Sequence, residues 1–203
     1  MPRALAYCAL AVAGLLWSAF VFIVLLMILL VATGTVKTYA MPNWMMEPTM
    51  HCARPAPACE GSHKDRFLVV TRFLDHDRGD IIVHEASPNV ERECGASGTY
   101  VRRIVGLPGE TIRTRHVAGP ERPYAGRERL FVDGRELEEP YLDEDRPTFG
   151  LDKRFRIPAG RHFVMGDNRL FSCDSRDYGP IDGADIVGEV ILTYWPPSRI
   201  SFR

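Results

Sequence analysis

Lysine is almost absent from this chain. Only Lys37, Lys64 and Lys153 occur among 203 residues, and arginine supplies the remaining basic side chains. A lysine amine can lose its proton when it is buried, whereas arginine stays protonated in proteins. The scarcity therefore leaves three positions at which a neutral amine could act as a general base.

An excess of charge of either sign is also lacking. The formal net charge is −1, whereas a nucleic-acid-binding domain carries a basic excess. We therefore expect no nucleic-acid partner. The length leaves room for one membrane anchor and one domain of about 150 residues, which is enough for a hydrophobic core.

Charged side chains are missing from Ala4 to Thr33, and this run is apolar. About 20 apolar residues span a bilayer as a helix, so we predict a transmembrane helix at about residues 5–33 within an anchor of residues 1–36. A cleaved signal peptide has a shorter apolar core, of about 7–15 residues. Arg3 and Lys37 flank the run and barely discriminate between its two orientations.

The sequence has few cysteines, and their positions matter. Cys8 lies in the apolar run, and four lie in the polar domain. Four cysteines allow three disulfide connectivities, of which Cys52–Cys59 and Cys94–Cys173 are the most plausible. Such pairs would place the domain in an oxidising compartment. No spacing completes a zinc knuckle, so the sequence predicts neither a metal nor a cofactor.

Short strand-like segments follow the apolar run and predict a mainly β domain at residues 37–203. They are rich in aromatic and β-branched residues and are bounded by turn residues. Asp133-Gly134 suits a tight hairpin. We predict an insertion at about residues 118–155, with a loop at Ala118–Arg129 and an acidic surface segment at Glu139–Arg154. The predicted strands are Phe67–Leu74, Ile81–His84, Tyr100–Val105, Thr111–Thr114, Leu130–Val132, His162–Met165 and Val187–Trp195.

Four separated motifs carry the functional information. They are Met45–Thr49 (MMEPT), Arg78–Val83 (RGDIIV), Tyr100–Glu110 (YVRRIVGLPGE), and Met165–Arg169 (MGDNR) followed by Ser172–Arg176 (SCDSR). Each alone is a weak signal, but their order behind one apolar run is specific.

In this order the motifs resemble those of bacterial type I signal peptidases, which are membrane-anchored serine proteases. The extension at His51–Pro55 resembles actinobacterial members. The resemblance implies an antiparallel β domain outside the cytoplasm, held at the plasma membrane by a single span, so that membrane lipid is a partner. It also implies that signal peptides or preproteins bind in extended conformation, as strand addition to a sheet edge would allow.

The resemblance also implies where catalysis would occur, and both chemical positions are replaced. Met45 stands at the position of the serine nucleophile, and Arg102 stands at that of the lysine base. A thioether cannot form an ester intermediate, and a guanidinium cannot accept a proton near neutral pH. The sequence therefore predicts a non-catalytic homologue that binds signal peptides or an envelope partner.

The resemblance assigns supporting roles to four more residues. Asn43 stands at the position of an oxyanion-stabilising serine, although capping a turn is the simpler interpretation of an asparagine there. Ser172 stands at the position whose side chain hydrogen-bonds the lysine base in the family. Asp174 and Arg176 stand at positions that would form a supporting ion pair. We expect a carboxylate such as that of Asp174, or backbone carbonyls, to compensate the charge of Arg102.

Two alternatives remain open from the sequence. The first is an active signal peptidase that uses other groups, for example a rewired pair of Ser172 and a histidine. The second is a purely structural membrane protein whose groove is closed. Each differs from the non-catalytic binder in an observable way, through cleavage or through the loss of peptide binding.

Overall fold

The computed structural model describes residues 2–203 except 57, 72–74, 120–121 and 143–153, with side chains left out at 2–11 and 116–128. The chain divides into two compact units, Met1–Lys37 and Thr38–Arg203. The second unit contains most of the β structure.

The first unit is dominated by helix α1, Pro2–Ala32. Its stretch Val12–Ala32 has a mean hydropathy of 3.0, and none of its residues is buried. An apolar surface exposed all round is typical of a helix that meets lipid. The helix is long and apolar enough to cross a membrane.

The second unit contains antiparallel strands and two short helices. The strands are β1 (Val36–Ala40, which begins in the first unit), β2 (Arg66–Val70), β3 (Ile81–Glu85), β4 (Thr99–Gly106), β5 (Thr111–Gly119), β6 (Arg122–Val132), β7 (Arg135–Glu136), β8 (Phe155–Arg156), β9 (Arg161–Met165), β10 (Ile181–Asp182), β11 (Ile186–Trp195) and β12 (Ser201–Phe202). The helices are α2 (Pro88–Cys94) and α3 (Ser175–Tyr178).

The strands form two sheets. An eight-stranded sheet has the order β1-β2-β11-β3-β4-β9-β10, with β12 paired to β11, and a four-stranded sheet has the order β7-β6-β5-β8. The prediction of a mainly β, antiparallel domain is confirmed. The Asp133-Gly134 turn has positive φ at both residues, 48° and 83°, as a type I′ turn requires, and it joins β6 to β7.

One part of the predicted insertion is wrong. The Gly-, Pro- and Arg-rich segment Ala118–Arg129 was expected to be a loop, but β5 and β6 extend through most of it as a long hairpin with pairing from Ile112↔Val132 to Gly119↔Arg122. Cross-strand pairing overrides the weak strand propensity of these residues. The acidic segment at 139–154 lies mainly outside the described residues, as does the end of the predicted strand at 72–74.

Strand β4 lies between β3 and β9 and positions the predicted site. All its residues after Thr99 are buried, so both its faces contact the core. Tyr100 and Ile104 pack on one face with Ile82, whereas Val101 packs on the other with Met46. Side chains alternate along a strand, so Arg102 and Arg103 are buried on opposite faces of the sheet.

Candidate functional site

A short 3-10 helix, Trp44–Met46, presents the Met45 side chain. Asn43 caps this helix, because its Oδ1 accepts a hydrogen bond of 3.2 Å from the Met45 backbone N–H. Met46 is fully buried and anchors the helix in the core, whereas Met45 is half-buried. The geometry agrees with the simpler interpretation of Asn43 as a capping residue.

The Gly166–Ser172 segment fixes this 3-10 helix through hydrogen bonds from Asn168. The Asn168 backbone N–H donates to the Met45 carbonyl at 3.1 Å, and its side-chain amide donates to the Trp44 carbonyl at 3.0 Å. A Cβ atom at Gly166 would lie 2.5 Å from the Met45 carbonyl oxygen and 2.2 Å from the Ser172 hydroxyl. Glycine is thus required where the fourth motif meets the first.

Arg102 points to Met45. Its Nη2 lies 2.8 Å from the Met45 sulfur, and the side chain is 1% exposed. The same Nη2 donates to the Cys173 carbonyl at 2.6 Å. Nη1 donates to the carbonyl of Val101, the preceding residue, also at 2.6 Å. The structure therefore brings together the two residues that the resemblance placed at the nucleophile and base positions.

Backbone carbonyls compensate the buried charge of Arg102. No salt bridge to it occurs among the described residues. Its guanidinium also lies 5.2 Å from the centre of the Tyr100 ring, a distance that allows a cation–π interaction. Of the two ways of compensating this charge that the sequence suggests, the carbonyls supply the hydrogen bonds. Asp174 also lies close enough for the charge of Arg102 to contribute to its lowered pKa.

Asp174 pairs with Arg176 as predicted. Arg176 Nε and Nη2 each donate to a different Asp174 oxygen at 2.8 Å. The same carboxylate accepts from the Gly166 backbone N–H at 3.0 Å and caps α3. Burial acts to raise the pKa of Asp174, but hydrogen bonding to Arg176 and the charge of Arg176 outweigh it, so the pKa is lowered. Asp174 thus stays ionised and fixes this segment.

The Ser172 hydroxyl lies beside the site and is buried. Among the residues that the structure describes, it has no hydrogen-bond partner. A serine nucleophile needs a base at hydrogen-bond distance, and no described histidine lies at that distance from this hydroxyl. The geometry gives no support to a rewired pair of Ser172 and histidine.

His84 is a site neighbour that sequence reasoning missed. It stacks on Tyr100 with ring centres 5.6 Å apart, and its Nδ1 lies 3.0 Å from the Glu85 carbonyl. Nδ1 therefore carries the proton, and Nε2 is buried without a partner. Burial, helped by the charge of Arg102, lowers the pKa of His84 to about 4, although the Glu85 hydrogen bond acts to raise it. Its pairing with Tyr100 in the β3–β4 register becomes visible only once these strands are aligned.

The structure also brings the predicted cysteine pairs together. The sulfur atoms of Cys52 and Cys59 lie at disulfide distance, with Cα atoms 5.1 Å apart. Those of Cys94 and Cys173 do so as well, with Cα atoms 5.8 Å apart. The second pair brings the end of α2, at Cys94, next to Cys173, whose carbonyl accepts a hydrogen bond from Arg102.

Comparisons with known proteins identify the family. Residues 15–195 match the model of the family described as signal peptidase, peptidase S26. The chain belongs to the signal peptidase family. It is 31% identical over 197 residues to signal peptidase I P of Bacillus subtilis subsp. natto, covering 91% of this chain and 90% of the relative.

Other signal peptidases match at similar levels. Signal peptidase I of Mycobacterium tuberculosis is 28% identical over 214 residues, covering 82% of this chain and 67% of the relative. A solved signal peptidase I from Enterococcus faecalis is 23% identical and covers 58% of this chain and 98% of its own, with a TM-score of 0.41. Relatives thus come from bacilli as well as mycobacteria and do not single out the actinobacterial members.

Proposed function

We propose that this signal peptidase homologue is non-catalytic and binds signal peptides, or an envelope partner, in extended conformation. The observation that most directly supports this proposal is the contact between Met45 and Arg102. The atoms that meet are a thioether sulfur and a guanidinium nitrogen 2.8 Å apart. Neither can supply the nucleophile or the base that peptide hydrolysis by a serine protease requires.

The environment of Arg102 supports this proposal. A lysine base must shed its proton in a buried pocket, whereas Arg102 is buried with its charge retained and its donors bound to the carbonyls of Val101 and Cys173. The hydrogen bonds stabilise a cation at this position. The site is therefore organised around a permanent charge rather than around a titrating group.

Peptide binding is supported by the surroundings of the site. Strand β1 forms one end of the eight-stranded sheet, and the chain runs from it directly into Trp44–Met46. An extended peptide can add to such an edge through main-chain hydrogen bonds. Leu170 and Phe171, 49% and 60% exposed, lie two and three residues after Asn168, whose backbone N–H donates to the Met45 carbonyl. They add an exposed apolar surface to this segment, as an apolar signal peptide would need.

The proposed location is the plasma membrane, with α1 as a single span and the β domain outside the cytoplasm. The support is the apolar stretch Val12–Ala32 and the two cysteine pairs at disulfide distance, since disulfides persist in oxidising compartments. Protease added to intact cells should then degrade the Thr38–Arg203 unit. Protection of this unit until the cells are lysed would place it inside.

Function is tested with the purified full-length chain in detergent and a labelled signal-peptide substrate. An active signal peptidase I serves as the positive control for cleavage, and fluorescence anisotropy measures binding. We expect saturable binding and no cleavage by the unmodified chain. A Met45→Ser/Arg102→Lys double variant is assayed beside it, because it restores both chemical groups, whereas each single variant should stay inactive.

Each other outcome identifies a different function. Cleavage by the unmodified chain would falsify the non-catalytic proposal, and loss of that cleavage in Ser172→Ala would assign it to the Ser172 hydroxyl. Absence of both binding and cleavage would indicate a purely structural membrane protein with a closed groove. Binding without cleavage would sustain the proposal.

A further inference from the structure

A second cluster of ionisable side chains lies away from Met45 and Arg102. His76 and Asp80 come from the segment that leads into β3, and Glu189 comes from β11, where it pairs with Ile82. One potential ligand atom from each of the three side chains lies within 4.8 Å of the other two. All three side chains are partly buried, so the cluster is sheltered while remaining accessible to small solutes.

The carboxylates of this cluster repel one another. A carboxylate oxygen of Asp80 and one of Glu189 lie within 4.8 Å of each other, and like charges at such a distance repel. The neighbouring arginine does not relieve this repulsion, because Arg78 donates to the Val105 carbonyl and to Glu110 instead. In the described parts of the chain, neither Asp80 nor Glu189 has a salt-bridge partner. The cluster therefore carries negative charge that nothing described neutralises.

Each of two imidazoles at this place has one buried nitrogen without a hydrogen-bond partner in the described residues. The Nδ1 atoms of His76 and His162 are both buried, and neither has a partner within the described ranges. The two rings meet edge to face, with centres 6.2 Å apart. A buried polar atom without a partner is costly, and a neutral imidazole nitrogen is the commonest metal ligand in proteins.

We propose that His76, Asp80 and Glu189 bind a divalent transition-metal ion, with Zn²⁺ as the reference ion. Mixed imidazole and carboxylate ligands suit Zn²⁺ and its neighbours, whereas Mg²⁺ and Ca²⁺ prefer oxygen alone. Ligand atoms lie about 2.0–2.2 Å from zinc, so the three side chains must close by roughly 1 Å. The ion would offset the carboxylate repulsion and join the segment before β3 to β11.

The other clusters of potential ligands fit an ion less well. Glu47, Cys52 and Cys59 lie together, but the two sulfurs are at disulfide distance and offer no thiolates. Glu47, His51 and Glu60 also lie together, but Glu47 already accepts hydrogen bonds from the Cys52 and Glu60 backbone N–H groups. The sequence predicts no metal, because no spacing of its cysteines and histidines completes a zinc set and Glu189 is far from His76 along the chain.

The test is zinc binding by the full-length chain in detergent, after removal of any histidine tag and of bound metal by chelation. Titration calorimetry and metal analysis after gel filtration should give one Zn²⁺ per chain. The midpoint of thermal unfolding should rise with Zn²⁺ and not with Mg²⁺ or Ca²⁺. Replacing Zn²⁺ with Co²⁺ should give visible absorption bands that report the geometry of the bound ion.

Variants assign the ligands. Glu189→Gln keeps the shape of the side chain, and His76→Asn replaces the imidazole with a smaller polar group. Each should weaken zinc binding at least about tenfold, the lower bound seen even for residues behind metal ligands. Glu91→Gln, on the exposed face of α2, is the matched control and should bind as the unmodified chain does. Circular dichroism checks that each variant is folded, and Asp80→Asn replaces any variant that is not.

Two results would overturn the proposal. The first is no stoichiometric Zn²⁺ on the unmodified chain at micromolar concentrations. The second is binding that persists in Glu189→Gln and His76→Asn but is lost in His51→Asn, which would assign the ion to the cluster around Glu47. Neither result depends on peptide binding, so this test is independent of the proposed function.

Discussion

His84 shows how one residue near the site couples folding to pH. It is fully buried, its Nδ1–H donates to the Glu85 carbonyl, and its Nε2 has no acceptor among the described residues. Protonating Nε2 would create a second buried cation close to Arg102. The folded state therefore keeps the imidazole neutral, and its pKa falls from 6.5 to about 4.

The sign of the resulting pH dependence follows from this lowered pKa. The unfolded chain takes up a proton at His84 near pH 6.5, whereas the folded chain does so near pH 4. The contribution to the free energy of unfolding is complete above pH 6.5 and is lost as the pH falls to 4. It amounts to about 3 kcal/mol. His84→Phe, which keeps an aromatic ring against Tyr100, should flatten this part of the profile.

Denaturant unfolding between pH 4 and 7 measures the effect. His63→Gln is the matched control, because His63 is exposed and its replacement should leave the slope unchanged. Equal slopes for His84→Phe and the unmodified chain would show that His84 is not the group responsible.

At the scale of elements, α2 depends on its connection to the rest of the domain. It has seven residues, too few to be stable as an isolated helix. Pro88 starts it, and Gly95, with φ of 72°, ends it, as the fixed φ of proline and the freedom of glycine allow. Cys94 at its end pairs with Cys173, whose carbonyl holds Arg102.

The two cysteine pairs should therefore differ in what they contribute. Cys94 and Cys173 are separated by 79 residues, and Cys52 and Cys59 by 7. A longer closed loop removes more entropy from the unfolded chain, which gives about 4 kcal/mol for the first pair and about 2 kcal/mol for the second. Double serine variants of each pair, compared by urea unfolding under oxidising conditions, measure the difference.

The shorter pair is the control for the longer one. A larger loss for the Cys52–Cys59 variant than for the Cys94–Cys173 variant would contradict the loop-length argument. No change on adding reductant to the unmodified chain would show that neither disulfide forms in the purified protein. This comparison also tests the oxidising location on which the predicted topology depends.

At the scale of the whole molecule, we expect the two compact units to divide membrane binding from folding. None of the residues of Val12–Ala32 is buried, whereas the buried residues form clusters within the β structure. We expect a chain lacking residues 1–35 to unfold in one cooperative transition and to lose flotation with liposomes. The full-length chain, floated in parallel, should remain bound to the vesicles.

Retention of the shortened chain on vesicles would show that the β domain itself binds lipid. In that case Trp195, Ile200 and Phe202, which are exposed, would be the residues to replace next. A loss of the unfolding transition would show that the β domain needs the first unit in order to fold.

The sequence predicted several elements correctly because their signals are local. The apolar run, the Asp133-Gly134 turn and the strands around Ile81 and Arg102 depend on residue type and spacing over a few positions. The β5–β6 hairpin was missed at Ala118–Arg129, since its strands are stabilised by each other and not by their own propensities. The contacts of His84 were missed for the same reason.

The missing chemistry of the predicted catalytic positions was determined by the sequence alone. The reactivity of a thioether or a guanidinium is fixed by its covalent structure, so Met45 and Arg102 could be judged before any distance was known. Tertiary structure decided the rest: that carbonyls, and not Asp174, bind Arg102, and that His76 and Glu189 meet. Burial, hydrogen bonds and charge repulsion depend on distances in space, which residue order does not specify.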